Sequence, residues 1–298
     1  MRTRKHLVFI VHGARAELPA LRNLVRWVRE RGHRVQPRIT WEAGDASTFA
    51  AEAAAAGADA VVALGGDGTV NEVVNGLDGT TTPLGVIPLG TANDFARQVG
   101  IPMDVDHAMD VILRRKARAI DTGELNGRRF LNVSTGGVGA EATAETPADA
   151  KESLGILAYA ITGVRKLKDL EPRTARFSGP GFDRTVDFLL FAVGNGRVTG
   201  GGTLITPRAS VTDGLLDLCI VESMPVAEFT RLALRVKKGE HLDDARVHYA
   251  QLPAITIRAH EPLTVNLDGE SSTATRLAYR ARALDLLIHL PHLPGDAD

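Results

Sequence analysis

The chain has 298 residues, 24% of them charged and 44% hydrophobic, with a formal net charge of −1. That is enough apolar content to exclude a disordered chain, and the charge balance excludes nucleic-acid binding through a bulk basic field, so no nucleic-acid partner is expected. At roughly 100–200 residues per domain, two domains are expected, each with its own core. The one cysteine, Cys219, rules out an internal disulfide and fits a reducing cytoplasm. Inside the apolar run Leu215–Val221 it reads as a small buried hydrophobe. The apolar run Leu7–Val11 is shorter than the ~7–15 residues of a signal-peptide core, and no stretch reaches the ~20 of a transmembrane segment. Neither end reads as a lipidation signal. The expected location is cytoplasmic, with any membrane contact peripheral and from the water side.

In chain order, His6–Val11 predicts a short buried strand. Leu21, Leu24, Val25 and Val28 then recur at helical spacing, with Arg22, Arg26 and Arg29 on the other side. Arg34–Ile39 predicts a second strand, and Ala46–Ala56 a helix ended at Gly57. Ala60–Leu64 is a third strand running into Gly65-Gly66-Asp67-Gly68-Thr69, with a helix from Val70 to about Leu77. Leu84–Ile87 is a fourth strand running into Pro88-Leu89-Gly90-Thr91, and another helix follows. Strands alternating with helices predict a parallel sheet covered on both faces.

From about Leu125 the pattern becomes β-rich, with Phe130–Ser134, Thr185–Val193, Leu215–Val221, Ile255–Arg258, Leu263–Leu267 and Ala283–Leu290 as strands and Gly194–Gly202 as a glycine-rich turn. An antiparallel, sandwich-like domain is expected. A helix is expected over Lys151–Leu170. The expected division is an α/β domain over residues 1–124 and a β-rich domain over 125–298, the last strand returning to the N-terminal domain.

The turns after the third and fourth strands share a layout in which an apolar strand meets glycine and a helix starts at once. Thr69 with Glu72, and Thr91 with Asp94, fit the reciprocal capping box. Glycine lets the backbone approach a ligand, and a helix start offers free N–H groups and a positive dipole end, so the two turns are expected to lie together and cradle phosphates. Gly65–Asn71 lacks the lysine of a P-loop and the third glycine of a dinucleotide fingerprint. It carries instead a carboxylate, Asp67, between glycines. A carboxylate beside phosphates needs a cation between them, which makes Asp67 a candidate Mg²⁺ partner. Asp268-Gly269-Glu270, at the end of the Leu263–Leu267 strand, and Asp213-Gly214-Leu215 each read alone as a turn.

Together these residues resemble a known family. Gly65-Gly66-Asp67-Gly68-Thr69 with Asn71-Glu72, then Pro88-Leu89-Gly90-Thr91-Ala92-Asn93-Asp94-Phe95-Ala96, are similar to the diacylglycerol kinase catalytic domain. Several further segments resemble the bacterial YegS-like lipid kinases: Thr40-Trp41-Glu42 with Gly44-Asp45-Ala46, Thr135-Gly136-Gly137 with Gly139, Glu145-Thr146-Pro147, Gly194-Asn195-Gly196-Arg197 with Gly200-Gly201-Gly202, Asp213-Gly214-Leu215-Leu216, and Asn266-Leu267-Asp268-Gly269-Glu270. The resemblance runs from about Leu7 to Leu290. One departure is His12 in the turn after the first strand, where the family usually has asparagine.

The resemblance implies an ATP-dependent kinase acting on a membrane lipid with a free glycerol-type hydroxyl, such as phosphatidylglycerol or diacylglycerol, and so a role in phospholipid biosynthesis. It implies ATP contacts at Thr40, Gly65, Gly66, Asp67, Gly68, Thr69, Val70, Asn71, Glu72, Gly90, Thr91 and Asn93. Of Glu270 and Asp268 it implies that one is the general base, Glu270 named first. It implies a structural Mg²⁺, with Ca²⁺ as the alternative, at Asp213 and the main chain of Ser210 and Leu215. The alternatives are an NAD kinase-like phosphotransferase, which shares the first glycine motif, and a non-catalytic nucleotide-binding protein on the same fold. Candidate membrane contacts are Arg22, Arg26 and Arg29, or Arg165, Lys166 and Lys168 beside Ile161, Val164 and Leu167.

Overall fold

The computed structural model describes residues 4–17, 19–137 and 173–292. The chain forms two compact units, Met1–Ile120 with Leu284–Asp298, and Asp121–Ala283. The expected helix Lys151–Leu170, with Gly139, Glu145-Thr146-Pro147 and the basic group at Arg165, Lys166 and Lys168, lies outside the described residues.

Unit 1 is an α/β layer structure. Its strands are β1 (His6–His12), β2 (Arg34–Thr40), β3 (Ala60–Gly65) and β4 (Leu84–Pro88), and its helices are α1 (Pro19–Glu30), α2 (Asp45–Ala55), α3 (Asp67–Gly76), α4 (Asp94–Gln98) and α5 (Val105–Arg114). All strand pairs are parallel, in the order β2-β1-β3-β4, and the C-terminal end of β13 (Glu270–His289) adds beside β4 through Ile288 and Leu84. Every residue of β3 and β4 is buried, as a strand covered on both faces requires. Pro37 sits in β2, the edge strand, where a missing N–H is tolerated. Helices α1 and α5 pack together, as do α2 and α3, the latter pair with Gly76 of α3 seated against Ser47 and Ala50 of α2. The single helix expected after Thr91 is two shorter ones, α4 and α5, because Gly100 adopts φ +75° between them.

Parallel strands put all their carboxyl ends on one edge. His12 pairs with Thr40, Val11 with Leu64, and Gly65 with Pro88. The order reverses direction between β1 and β3, the switch point at which open α/β sheets bind ligands.

Unit 2 is antiparallel and sandwich-like. Its strands include β5 (Ala117–Leu125, entering from unit 1), β6 (Arg128–Phe130), β7 (Val133–Gly137), β8 (Arg173–Gly179), β9 (Phe182–Gly194), β10 (Leu216–Glu222), β11 (Val247–Leu252), β12 (Ala254–Leu267) and most of β13. The long strands β9 and β12 are bridged twice, by β8 along one stretch and by β7 along the next. That curls the sheet around Phe177, Phe188 and Phe191, whose rings meet edge to face at 5.4–5.6 Å. A second core lies under helix α6 (Val226–Lys238), where Phe229, Leu232 and Val236 cover Leu190, Ala192 and Cys219. Burial pushes the Cys219 thiol up to about 12, so it is the inert small hydrophobe that its run predicts.

Three strand readings are corrected. The expected strand Phe130–Ser134 is broken at Leu131-Asn132 into β6 and β7. The runs Ile255–Arg258 and Leu263–Leu267 are one strand, β12, with a register shift between Arg258 and Leu263. The last strand begins at Glu270, far ahead of Ala283.

Candidate active site

In unit 1 the two glycine turns touch. A Cβ built on Gly90 would lie 2.5 Å from Gly66 Cα, and one built on Gly66 would lie 3.2 Å from Gly90 Cα. The backbones therefore meet with no room for a side chain. Leu89 N–H donates to the Gly65 carbonyl at 2.8 Å, locking the start of one turn to the other.

The capping pattern differs from the local reading. Gly66, not Thr69, is the N-cap of α3, and it makes no side-chain cap bond. Thr69 folds back over Gly65 instead and is buried. Glu72 reaches away from α3 and accepts from Gly44 N and Ala46 N at 3.1 and 3.2 Å, capping α2. Asn93, not Thr91, precedes α4, at φ 49°. Its amide group bonds Gly90 N–H and C=O at 3.0 and 2.8 Å, closing the turn on itself. In the first case a tertiary partner, and in the second a different local bond, displaces the capping box.

Asp67 is shared between the turns. Its Oδ2 accepts from Asp94 N at 3.0 Å and its Oδ1 from Phe95 N at 2.9 Å. The first two N–H groups of α4 are thus taken up by protein, so the two helix starts expected alike are not equivalent. The start of α3 differs. The backbone N–H groups of Gly68 and Thr69 have no partner among the described residues. Gly68 is exposed, and a Cβ built on it would meet nothing within 4 Å. The fold does not need glycine at 68, which leaves bare, solvent-facing backbone at the start of α3. Asn71 is 1% exposed and its Nδ2 is unpartnered. Thr40 is buried at the end of β2, while Thr91 and His12 are exposed.

In unit 2, Leu267 pairs with Glu270 across a two-residue turn, Asp268 at φ 46° and Gly269 at φ 98°, the left-handed pair that Asp-Gly predicts. The two carboxylates differ. Asp268 accepts from Leu131 N at 2.8 Å and Asn132 N at 3.2 Å, bracing the turn on the β6–β7 connection. Glu270 pairs with Arg128, and both side chains are nearly half exposed, at 45% and 43%. Asn266 steadies the turn through Gly269 N at 2.9 Å.

Further along unit 2, Asp213 accepts from Leu215 N at 3.0 Å, and Ser210 Oγ lies 3.2 Å from Thr212 Oγ1. Buried Asp121, which sequence reasoning did not single out, accepts from Gly214 N at 2.6 Å. The 93-residue separation leaves no local signal for it. Burial, with the nearby charge of Asp121, raises the Asp213 carboxyl above its usual range. Asp213 and Asp121 thus bring two carboxylates near one another, and carboxylate oxygen is the donor type that a hard divalent cation prefers. Among the described residues no group of three or more His, Cys, Asp or Glu side chains is arranged to hold a metal, so a cation here would depend on main-chain oxygens.

Beyond that segment, burial pushes the Asp217 carboxyl up to about 6, against bonds donated by Tyr249 and Gln251. Between about pH 4 and 6 the folded protein holds a proton there that the unfolded chain has released. This contribution favours the fold in acid and is lost as the pH rises through 6. Asp217→Asn removes the titration. The stability gap between variant and parent is therefore expected to move in the variant's favour by on the order of 2 kcal/mol from pH 4 to pH 7. Denaturant unfolding at both pH values reads it, and a gap independent of pH contradicts it.

A parallel nucleotide-type sheet with touching glycine turns, joined in one chain to an antiparallel β unit, defines a phosphate-handling two-domain protein. Comparison with known proteins makes this specific. Residues 6–125 match the diacylglycerol kinase catalytic domain, and residues 133–288 match the YegS C-terminal NAD kinase beta sandwich-like domain. A Pseudomonas putida protein named "Probable lipid kinase YegS-like" is 40% identical over 293 residues, covering 98% of this chain and 97% of its own. A Xanthomonas campestris pv. campestris protein of the same name is 40% identical over 297 residues, covering 96% of each. A solved structure of a Bacillus anthracis str. Sterne protein assigned as a diacylglycerol kinase superposes with a TM-score of 0.83 at 26% identity, covering 99% of this chain and 98% of that one. The chain belongs to the diacylglycerol kinase catalytic-domain family, in its YegS-like branch.

Proposed function

We propose that the protein is a lipid kinase that transfers the γ-phosphate of ATP to the free hydroxyl of a membrane lipid of the phosphatidylglycerol or diacylglycerol class. The observation that carries the reading is the start of α3, where exposed Gly68 and unpartnered N–H groups stand beside the Gly66–Gly90 contact. Such a start binds phosphate through N–H donors and the helix dipole. The names of the relatives support a lipid acceptor.

Phosphoryl transfer passes through a loose transition state, so positioning and charge neutralisation dominate. In this reading Gly66, Gly68 and Thr69 hold phosphate oxygens by their backbone. Gly65, Val70, Asn71, Glu72, Gly90 and Asn93 fix the turns, and Thr40 and Thr91 lie on the same edge of unit 1. Glu270 takes the proton of the lipid hydroxyl. Asp268, both of whose oxygens are occupied by backbone N–H groups, shapes the turn. Asp67 would hold Mg²⁺ beside the phosphates, and Asp213 with the main chain of Ser210 and Leu215 would hold a structural Mg²⁺. Bound Mg²⁺ neutralises phosphate charge. Among the described residues no helix is long and apolar enough to cross a membrane. In this reading the lipid is met peripherally from the cytoplasmic side, with Arg22 and Arg26 on the exposed face of α1 as candidate contacts.

The test is a panel of phosphatidylglycerol, diacylglycerol and NAD with labelled ATP and Mg²⁺. Label is expected in a lipid, and transfer to NAD alone refutes the reading. Gly68→Ala sharpens it. Alanine stabilises a helix by roughly 0.5–1 kcal/mol relative to glycine, and nothing in the fold crowds the new methyl group. The variant is expected to melt no lower than the parent yet to lose about 10-fold or more in kcat/KM for ATP, the scale of one displaced hydrogen-bonded contact. Unchanged kinetics would remove Gly68 from the phosphate site.

A further inference from the structure

Of the large hydrophobic side chains left in solvent among the described residues, Trp41 is the most exposed, at 81%. An indole carries one of the largest apolar surfaces available to a protein, and the fold makes little use of this one. Its placement is specific. Trp41 directly follows β2, whose last residue, Thr40, pairs with His12 at the end of β1. The indole Cε3 lies 4.0 Å from where a Cβ would stand on Gly13. The ring therefore borders the turn after β1, on the edge of unit 1 that carries the glycine turns, about two strand spacings, or roughly 10 Å, from β3.

The backbone under the ring is held from two sides. Asp45 Oδ2 accepts from Trp41 N at 2.7 Å and from Glu42 N at 3.0 Å. Glu72 Oε2 accepts from Gly44 N and Ala46 N. Glu72 lies on α3, the helix whose start forms the phosphate site, so one helix sets both the phosphate donors and the loop that carries the indole. An aromatic ring carried on a held loop, on the same edge as the phosphate donors, suits base stacking, because little loop entropy remains to be lost on binding.

We propose that Trp41 is the face on which the nucleobase of the phosphate donor stacks, purines being favoured by their larger π-surface. This rests on the nucleotide reading of the glycine turns and deepens it. The rival use of an exposed tryptophan, insertion at a membrane interface, is disfavoured by its neighbours. Glu42 and Asp45 flank it, and the N–H bonds from Glu42 and Trp41 hold the Asp45 carboxyl below its usual range and thus ionised. An anionic lipid surface repels such a loop.

The chain has two tryptophans, so full-length Trp27→Phe protein reports on Trp41 alone. Adding ATP with Mg²⁺ is expected to quench its emission, saturating at the Kd that calorimetry gives. Trp41→Ala is expected to weaken ATP binding roughly 5- to 100-fold, the scale of one base–aromatic stack. It should raise KM for ATP with kcat little changed, and Trp41→Phe should recover most of the loss. Calorimetric binding with no quench and an unchanged Kd in Trp41→Ala overturns the stack while leaving the phosphate site standing. An emission shift with phosphatidylglycerol–phosphatidylcholine vesicles but none with ATP overturns it in favour of membrane contact. If the parent protein binds no ATP at all, the kinase reading itself fails, and the stack with it.

Discussion

Glu270→Gln is expected to lower lipid-dependent ATP turnover by about 10²- to 10⁴-fold, the usual contribution of a positioned general base, while leaving the melting temperature within about a degree of the parent. The second half of that expectation follows from what Glu270 touches. Its partner is Arg128, and both side chains are nearly half exposed. Exposed ion pairs contribute about 0–1 kcal/mol. Asp268→Asn should behave in the opposite way. Both oxygens of Asp268 accept backbone N–H bonds from the β6–β7 connection, and an amide in its place turns one acceptor into a donor. Leaving such a group unsatisfied costs about 1–3 kcal/mol. Asp268→Asn should therefore melt lower, with whatever activity it loses tracking the loosened turn. Parallel thermal melts and single-turnover kinetics on the two variants separate a base from a brace. If Glu270→Gln keeps full activity and Asp268→Asn is dead at parental stability, the roles are reversed.

That division of labour could not be read from the sequence, although the turn that carries it could. Asp268-Gly269 announces a left-handed two-residue turn because few other pairs adopt it at low cost. The parallel sheet of unit 1 was legible for a similar reason, since apolar runs such as Ala60–Leu64 ending in glycine have few other homes. What escaped were hydrogen bonds that span the chain. Asp67 caps α4 from 27 residues away, and Glu72 caps α2 from 26 and 28 residues away. A capping box is a local rule: at α3 Glu72 found a tertiary partner on α2 instead, and at α4 the cap came from Asp67 rather than from Thr91 or Asp94. Strand β8 is masked by the polar alternation of Arg173–Gly179. Helix α6 shows Phe229, Leu232, Ala233 and Val236 at helical spacing, a pattern hidden by the β-rich segments around it. The legible parts are those in which backbone geometry and burial agree locally. The rest depends on which carboxylate reaches which N–H after the chain has folded.

Asp67→Asn carries the other large expectation, a loss of at least ~100-fold in lipid-dependent ATP turnover, the scale seen when a transition state loses a charge-stabilising partner. Two physical effects contribute, and they can be told apart. As a carboxylate, Asp67 holds Asp94 N and Phe95 N together with the glycine turn on which it sits. An amide keeps one of those bonds and opposes the other with its NH₂ group, loosening the contact between Gly66 and Gly90 at a cost of about 1–3 kcal/mol. As a charge, Asp67 would attract the cation that accompanies the triphosphate. If the brace dominates, Asp67→Asn melts lower, KM for ATP rises, and added Mg²⁺ does not restore activity. If the charge dominates, stability changes little, kcat falls, and the concentration of Mg²⁺ needed for half-maximal turnover rises. Melting curves with a Mg²⁺ titration of turnover distinguish the two. Full turnover at parental Mg²⁺ would remove Asp67 from the reaction altogether, because neither a brace between the turns nor a charge beside the phosphates tolerates its neutralisation.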